Sequence, residues 1–285
     1  MSEKLADPLV SCRWLAERLE APDLRVLDAT WFLPTDPRDA RALYAEKRIP
    51  GAIFFDIDDV ADTATSLPHM LPSAEKFAAR VRKLGIGDGA RVVVYDQSGL
   101  FSAARVWWMF RAMGHEDVVV LDGGMPAWEA SRFPIDLEPP EPRMERHFTA
   151  RYRADLVRDL GEVRKAVDSG AGVIIDARPG ARFRGEADEP RPGVKRGHIP
   201  GSLNIPWNAL ITETGLMRSR GELQNVFNDV GADLKQPIMC TCGSGVTAAI
   251  LALALARCGR WDASIYDGAW AEWGALPDAP IATGV

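Results

Sequence analysis

The chain has 285 residues, which at roughly 150 residues per domain suggests about two domains. Its composition, 47% hydrophobic and 26% charged, is typical of globular proteins, and its net charge of −6 argues against a general nucleic-acid-binding protein. The longest apolar run, residues 248–256, is too short to span a membrane, so no membrane partner is expected.

Four sequence landmarks of the first half recur in the second half in the same order. Their first-half members are RVLDAT at 25–30, KRIPGAIFFDI at 47–57, RVVVYD at 91–96 and VVVLDGGMPAW at 118–128. Their second-half members are GVIIDAR at 172–178, RGHIPGSLNIP at 196–206, PIMCTC at 237–242 and ASIYDGAWAEW at 263–273. Asp28 corresponds to Asp176 and Asp122 to Asp267, so the spacing stays between 145 and 150 residues. The pattern predicts a tandem duplication.

Each repeat alternates short apolar strands with longer helical patterns, of which the clearest lie at 74–85, 102–114 and 246–259. Strands that are apolar throughout are buried on both faces, which is typical of parallel sheets. We therefore predict an α/β fold with two tandem domains, each a mostly parallel sheet flanked by helices on both faces. The first domain is expected at 1–136 and the second at 152–285, joined by a proline- and charge-rich linker at 137–151.

In open parallel sheets, ligands bind at the carboxyl ends of the strands. The loop that follows the third strand of each repeat is therefore a candidate ligand-binding loop. In the second repeat this loop reads Cys242-Gly243-Ser244-Gly245-Val246-Thr247 and runs into a predicted helix. Its glycines allow a tight arc of inward-pointing N–H groups, which stabilise a thiolate together with the helix N-terminus. Cys242 is thus a candidate nucleophile, although a buried core cysteine is the alternative. The first-repeat loop has Asp96 and no cysteine, so the first domain is expected to be catalytically inactive.

Two other anion-binding loops share features with this segment. Gly243–Ala248 fits the dinucleotide fingerprint G-x-G-x-x-A, but that fingerprint belongs on the first strand of its unit. The chain also ends 18 residues after Asp267, which leaves no room for a dinucleotide-binding sheet. A cysteine phosphatase loop needs an arginine six positions after the cysteine, and position 248 is alanine. Both interpretations are disfavoured.

The other three cysteines, Cys12, Cys240 and Cys258, are interpreted as structural. Cys240 and Cys242 form a C-x-C pair, but zinc needs four ligands and no second pair is near, so no metal is expected. The N-terminus has neither an apolar signal core nor an Arg-rich transit pattern. Since four cysteines do not make a disulfide framework, we expect a reducing compartment and a cytoplasmic location.

The chain resembles the two-domain sulfurtransferases of the rhodanese superfamily over nearly its whole length. The resemblance rests on the loop CGSGVT followed by Ala248, on the segment FSAARVWW at 101–108, and on the cysteine-free first repeat. The loop is similar to the form found in members that use 3-mercaptopyruvate. Thiosulfate-using members typically carry two cationic residues where Gly243 and Ser244 stand. The resemblance also implies that Gly243, Gly245, Val246 and Thr247 contact the substrate.

The resemblance assigns roles to residues whose side chains would otherwise be interpreted as structural or solvated. It implies that Arg182 and Arg191 hold the carboxylate and keto oxygen of a 2-oxo acid, for which a planar guanidinium is well suited. It also implies that Asp58, His69 and Ser244 meet at the domain interface as a proton relay. Without the resemblance, Ser244 is a turn serine and His69 a structural histidine. Arg184 and Arg196 are expected to be surface charges.

The implied reaction transfers sulfur from 3-mercaptopyruvate to Cys242 as a persulfide and releases pyruvate. A thiol acceptor, such as thioredoxin or a small thiol, or cyanide in the test tube, then takes the outer sulfur. This two-step covalent mechanism predicts ping-pong kinetics and requires no cofactor. Two alternatives remain open at this point: a thiosulfate sulfurtransferase, and a non-enzymatic sulfur-carrier or binding module on the same scaffold.

Overall fold

A computed structural model of the chain describes residues 6–138 and 143–284. The chain forms two compact units, and each combines most of one repeat with a short segment of the other. The first unit comprises Met1–Asp62, Leu71–Arg153 and Glu213–Met217; the second comprises Thr63–Met70, Ala154–Thr212 and Arg218–Val285. Within the described ranges, no helix has the length and apolar character that crossing a membrane requires.

The first unit is built on one five-stranded sheet in which every pairing is parallel. Its strands are β1 (Leu9–Val10), β2 (Leu24–Asp28), β3 (Ile53–Phe54), β4 (Arg91–Tyr95) and β5 (Val118–Leu121), in the spatial order β1-β5-β4-β2-β3. Its helices are α1 (Cys12–Ala16), α2 (Ala40–Glu46), α3 (Ile57–Val60), α4 (Ala74–Lys83), α5 (Ala103–Ala112) and α6 (Gly124–Ala130).

The second unit repeats this sheet. Its strands are β6 (Val157–Arg158), β7 (Val173–Asp176), β8 (Leu203–Asn204), β9 (Ile238–Thr241) and β10 (Ser264–Tyr266), in the order β6-β10-β9-β7-β8. Its helices are α7 (Leu160–Ser169), α8 (Gly180–Phe183), α9 (Arg220–Asp229), α10 (Ala248–Arg257) and α11 (Ala269–Trp273), with short 3-10 turns at Ala154–Leu156 and Trp207–Leu210. The two strand orders are the same, so the structure confirms the duplication.

The central strands owe their position to their uninterrupted apolar sequence. All four residues of β5 and all four of β9 are buried. Since successive side chains of a strand point to opposite faces, both faces of each sheet are covered. The helices after β4 and β9 are apolar on most of their surface: nine of the ten residues of α5, and nine of the ten of α10, are buried. The predicted α/β fold class is confirmed.

A buried tryptophan marks the same place in both units. Trp128 and Trp273 are 0% exposed, and each indole N–H donates to the carbonyl of a proline seven or fewer residues later. The Trp128 bond to Pro134 is 2.8 Å long and the Trp273 bond to Pro280 is 2.9 Å. The same side chain therefore anchors the segment after the last helix in both repeats, so the two repeats are similar in this local contact as well as in topology.

The predicted linker at 137–151 falls partly on residues 139–142, which lie outside the described residues. The described part after 143 packs along the first unit. Phe148 is 0% exposed among Phe77 and Phe110, and the guanidinium of Arg82 donates to its carbonyl at 2.8 Å. This part of the segment therefore has a buried anchor of its own.

Candidate active site

Cys242 follows directly after the last residue of β9, in the loop that leads into α10. Its side chain is buried, at 1% exposure. The predicted strand included Cys242, whereas β9 ends one residue earlier, at Thr241. The other cysteines are poor nucleophiles because burial raises the pKa of Cys12, Cys240 and Cys258. Cys240 is the most extreme case, at 0% exposure in the middle of β9. Cys242 differs from these three cysteines because it lies in a glycine-containing loop between a strand and a helix.

The loop after Cys242 is held by its carbonyl groups. The backbone N–H of Trp270 donates to the carbonyl of Cys242, and that of Ala271 donates to the carbonyl of Gly243, each at 2.9 Å. Gly245 has φ +80°, a left-handed conformation that favours glycine. The carbonyl groups of Cys242 and Gly243 point toward α11, and in a peptide plane the N–H group points the opposite way, so the N–H groups that follow them face away from α11. In the described part of the second unit, the N–H groups of Gly243, Ser244, Val246 and Thr247 have no acceptor.

The first unit shows what such a loop binds. Asp96 occupies the position of Cys242, and its carboxylate accepts from the N–H groups of Ser98, Phe101, Ser102 and Ala103 at 2.8–2.9 Å. The carbonyl of Asp96 accepts from Met125 at 3.0 Å, which matches the bond between Cys242 and Trp270. In this fold, the amides of the loop therefore converge on the side chain of the residue that ends the strand. The equivalent side chain in the second unit is the thiol of Cys242.

Arg182 lies beside this loop on α8. Its guanidinium is 19% exposed and binds the carboxylate of Glu189 through two bonds, Nε to Oε1 at 3.2 Å and Nη2 to Oε2. A Cβ built on Gly243 would lie 3.0 Å from Nη2 of Arg182, so the guanidinium occupies the space that a side chain at 243 would need. In the described part of the second unit, Nη1 of Arg182 has no acceptor and is available to a ligand.

Glu189 is shared with a second arginine that the sequence did not single out. Arg178, at the end of β7, donates to Glu189 at 2.8 Å and to Asp176 at 2.7 Å, and both its side chain and that of Asp176 are 1% exposed. Its guanidinium lies 4.3 Å from the ring of Trp270 in α11. Burial lowers the pKa of Arg178, but the two carboxylates outweigh that effect and raise it. Asp176, Arg178, Glu189 and Arg182 thus form one buried ion-pair network.

Arg191 and His69 come together in the second unit, although His69 belongs to the first repeat. Nη2 of Arg191 lies 3.5 Å from Nε2 of His69. An arginine can only donate, so Nε2 is the acceptor in this contact. His69 is 8% exposed and has φ +58°, a conformation that few non-glycine residues adopt. Strained backbone of this kind clusters at functional sites.

The remaining two relay residues are placed in different units. Ser244 is 6% exposed in the loop of the second unit, and no described residue of that unit hydrogen-bonds its hydroxyl. The hydroxyl is therefore not used in a turn. Asp58 lies in the first unit, where its carboxylate accepts from the indole N–H of Trp31 at 3.0 Å. The meeting of Asp58, His69 and Ser244 stays a prediction.

Two arginines near the site behave as expected for surface charges. Arg184 pairs with Glu186 at 2.7 Å, and Arg196 pairs with Asp188 at 2.5 Å, with all four side chains at least 36% exposed. Glu189 is one of three acids in this loop, together with Glu186 and Asp188. Its distinguishing feature is burial, at 3% exposure against 56% for Glu186. No sequence signal separates these glutamates, since they are three residues apart in one loop.

Comparisons with known proteins give one consistent picture. The family model of the Rhodanese-like domain matches residues 11–131 and 159–276. The chain is 43% identical to 3-mercaptopyruvate sulfurtransferase of Homo sapiens over 99% of this chain and 98% of that protein. It is 41% identical to thiosulfate sulfurtransferase of Gallus gallus over 95% of each. The crystal structure of SseA from Escherichia coli, a 3-mercaptopyruvate sulfotransferase, is similar with a TM-score of 0.85 and 40% identity, over 93% of this chain and 99% of that one.

Proposed function

The chain belongs to the rhodanese family, and we propose that it transfers sulfur from 3-mercaptopyruvate through a persulfide on Cys242 to a thiol acceptor. The observation that carries the proposal is the loop after β9. It holds a cysteine where the other unit holds a carboxylate, beside amides that have no acceptor in the described part of the unit. Such a loop stabilises the thiolate before transfer and the persulfide anion after it.

The choice of donor rests on the charge of the loop. Relatives of nearly equal identity carry names that include 3-mercaptopyruvate or thiosulfate, so overall similarity does not select between them. Gly243 and Ser244 place no cation beside the sulfur, whereas Arg182 and Arg191 supply planar guanidinium groups on the same unit. A 2-oxo acid has its charge on a carboxylate remote from its sulfur, which suits this arrangement better than a dianion does.

The first half-reaction moves one sulfur atom and leaves an enolate. The thiolate of Cys242 attacks the thiol sulfur of 3-mercaptopyruvate, a sulfur–sulfur bond forms, and the carbon–sulfur bond breaks with its electron pair going to carbon. The resulting pyruvate enolate is stabilised by Arg182 and Arg191, and its carbon takes up one proton to give pyruvate. We assign that proton to the relay of Ser244 and His69, with Asp58 orienting the imidazole.

In the second half-reaction, the thiolate of the acceptor attacks the outer sulfur and regenerates the Cys242 thiolate. The acceptor we propose is thioredoxin or a small thiol in the cytoplasm, and cyanide serves in its place in the test tube. Because the enzyme is covalently modified between the two steps, the kinetics are ping-pong. Thiosulfate is the second candidate donor, favoured by the thiosulfate sulfurtransferase of Gallus gallus among the relatives.

A side-by-side assay with the two donors tests the proposal. We expect kcat/KM for 3-mercaptopyruvate to exceed that for thiosulfate by at least about a hundredfold, roughly 3 kcal/mol of differential transition-state binding. Replacing Gly243 and Ser244 by Arg and Lys should shift that ratio toward thiosulfate. A native preference for thiosulfate would contradict the proposed donor.

Mass spectrometry after donor treatment tests the nucleophile. One sulfur, about 32 Da, should be added on Cys242, by the covalent mechanism. Cys242→Ser should abolish transfer, while Cys258→Ser is the matched control and should retain it, since Cys258 lies at the far end of α10. A persulfide on Cys240 or Cys12 would refute the assignment.

A further inference from the structure

We propose that Trp270 is a positioning residue for donor binding: its indole ring fixes Arg178, and Glu189 passes that orientation on to Arg182. The inference rests on the proposed function, since that proposal assigns Arg182 to the 2-oxo acid donor. It extends the proposal to a tryptophan in α11, a residue that the reaction scheme does not use.

Trp270 contributes to two parts of the site at once. Its backbone N–H donates to the carbonyl of Cys242 at 2.9 Å, and its indole ring lies 4.3 Å from the guanidinium carbon of Arg178. The side chain is 1% exposed, and the indole N–H donates to the carbonyl of Lys195 at 2.9 Å. A Cβ built on Gly274 would lie 2.8 Å from Nε1 of the indole. The ring is therefore held by close contacts of its own, independent of Arg178.

The indole restrains Arg178 in a direction that hydrogen bonds do not control. All the N–H groups of a guanidinium lie in its plane. Those of Arg178 donate to Asp176, to Glu189 and to the carbonyl of Gly197 at 2.7–3.2 Å, which fixes the position of the group within that plane. An aromatic ring against the face of the guanidinium attracts the cation and opposes a tilt out of the plane, most strongly at a buried site.

Glu189 connects this guanidinium to the one that we assign to the donor. Its Oε1 accepts from Nη1 of Arg178 at 2.8 Å and from Nε of Arg182 at 3.2 Å, while its Oε2 accepts from Nη2 of Arg182. The carboxylate is 3% exposed, so it has little freedom to compensate for a tilt of Arg178. Since Nη2 of Arg182 lies against Gly243, such a tilt changes the position of Arg182 relative to the Cys242 loop.

The first unit has neither the ring nor the guanidinium at the equivalent positions. It has Thr30 at the position of Arg178 and Met125 at the position of Trp270. Met125 keeps the backbone part of the contact, because its N–H donates to the carbonyl of Asp96 at 3.0 Å. The backbone contact is thus common to both units, whereas the side-chain contact is found in the unit with the cysteine. Methionine at position 270 therefore removes the ring while retaining a residue that this fold accommodates.

The experiment compares Trp270→Met, Trp270→Phe and Trp273→Met in the full chain, with kcat and KM measured for 3-mercaptopyruvate as donor and dithiothreitol as acceptor. We expect Trp270→Met to raise KM for the donor by about tenfold, less than the roughly hundredfold cost of a 1 Å misplacement, with a smaller change in kcat. Trp270→Phe keeps an aromatic face against Arg178 and should restore most of the loss. Trp273→Met is the matched control, because this buried tryptophan of the same helix packs on Tyr266 and donates to Pro280, and it should leave both KM values unchanged.

Two further measurements separate positioning of the donor from a general loss of structure. The KM for the acceptor and the rate at which iodoacetamide alkylates Cys242 should stay near wild type in Trp270→Met, because the backbone bond to Cys242 remains. A donor KM that rises no more than in Trp273→Met would overturn the inference. An acceptor KM that rises as much as the donor KM would overturn it as well.

Thermal unfolding shows whether each variant is folded. If Trp270→Met does not fold, Gly274→Ala tests the same contact, because its added methyl group must displace the indole. The donor KM should then rise, and an unchanged value would refute the positioning role. The wild-type donor assay and Cys242→Ser test the proposed function without altering Trp270, so failure of that proposal is distinguishable from failure of this inference.

Discussion

Gly243 lies where one added methyl group should disturb Arg182, the predicted substrate-binding arginine, without disturbing the fold. A Cβ at this position would be 3.0 Å from Nη2 of Arg182, closer than nearly all real Cβ contacts. The glycine does not use a left-handed φ, so alanine is compatible with its backbone conformation. We therefore expect Gly243→Ala to fold normally and to act through Arg182 alone.

The size of the effect follows from the displacement. Reaching an ordinary contact of 3.4 Å requires a shift of a few tenths of an ångström. Glu189 holds Nε and Nη2 of Arg182, which prevents the guanidinium from swinging away freely. A misplacement of about 1 Å costs about a hundredfold in rate, so a shift of under half that size should cost about five- to tenfold. This corresponds to about 1 kcal/mol of lost transition-state stabilisation.

Steady-state kinetics with 3-mercaptopyruvate measures this loss. Because Arg182 is assigned to binding of the donor, KM should rise more than kcat falls. The matched control is Gly221→Ala in α9, where an added Cβ meets nothing within 4 Å and φ is also not left-handed. That variant should retain wild-type kinetics. Wild-type kcat/KM in Gly243→Ala would show that Arg182 does not hold the substrate against this loop.

The remaining predictions concern proton transfer and the loop of the first unit. His69→Ala should lower kcat with 3-mercaptopyruvate by about 10²–10⁴ with little change in KM; full turnover across about pH 6 to 9 would refute the relay. Ser244→Ala should show a similar defect, the double variant should be little worse than either single one, and Asp58→Asn should be milder. Asp96→Asn should lower the free energy of unfolding by about 2–4 kcal/mol in urea denaturation, because a charged acceptor of four N–H groups is lost; unchanged stability would show that the carboxylate does not hold the loop.

Local sequence patterns were sufficient to predict the fold and to single out a candidate nucleophile. Uninterrupted apolar runs identified β4, β5 and β9, and the internal repeat required both sheets to have the same topology. The glycines after Cys242 identified the anion-binding loop, because a tight arc of amides needs a residue such as Gly245 with positive φ. Strands and tight loops depend mainly on residues that are adjacent in the chain, so they can be predicted from the sequence.

The buried ion-pair network could not be predicted in this way. Arg178, Arg182 and Glu189 are close in the chain to other acids and arginines that remain in solvent, such as Arg184 and Glu186. Which members become buried depends on the packing of α8 and the loop that follows it, together with Trp270 in α11. The same holds for His69, whose segment joins the second unit although it belongs to the first repeat.

The loops after β4 and β9 use a similar arc of backbone N–H groups in two different ways. In the first unit, the carboxylate of Asp96 is permanently present and satisfies four backbone N–H groups, so this loop contributes to stability. In the second unit, a thiol replaces the carboxylate, and loop amides are left without acceptors in the described part of that unit. Unpaired amides cost stability in a resting protein, but they are the groups that a thiolate and a persulfide need. Both loops arose by duplication of one unit. The exchange of aspartate for cysteine at the strand end, in loops that also differ in length and sequence, separates a structural anion from the proposed nucleophile.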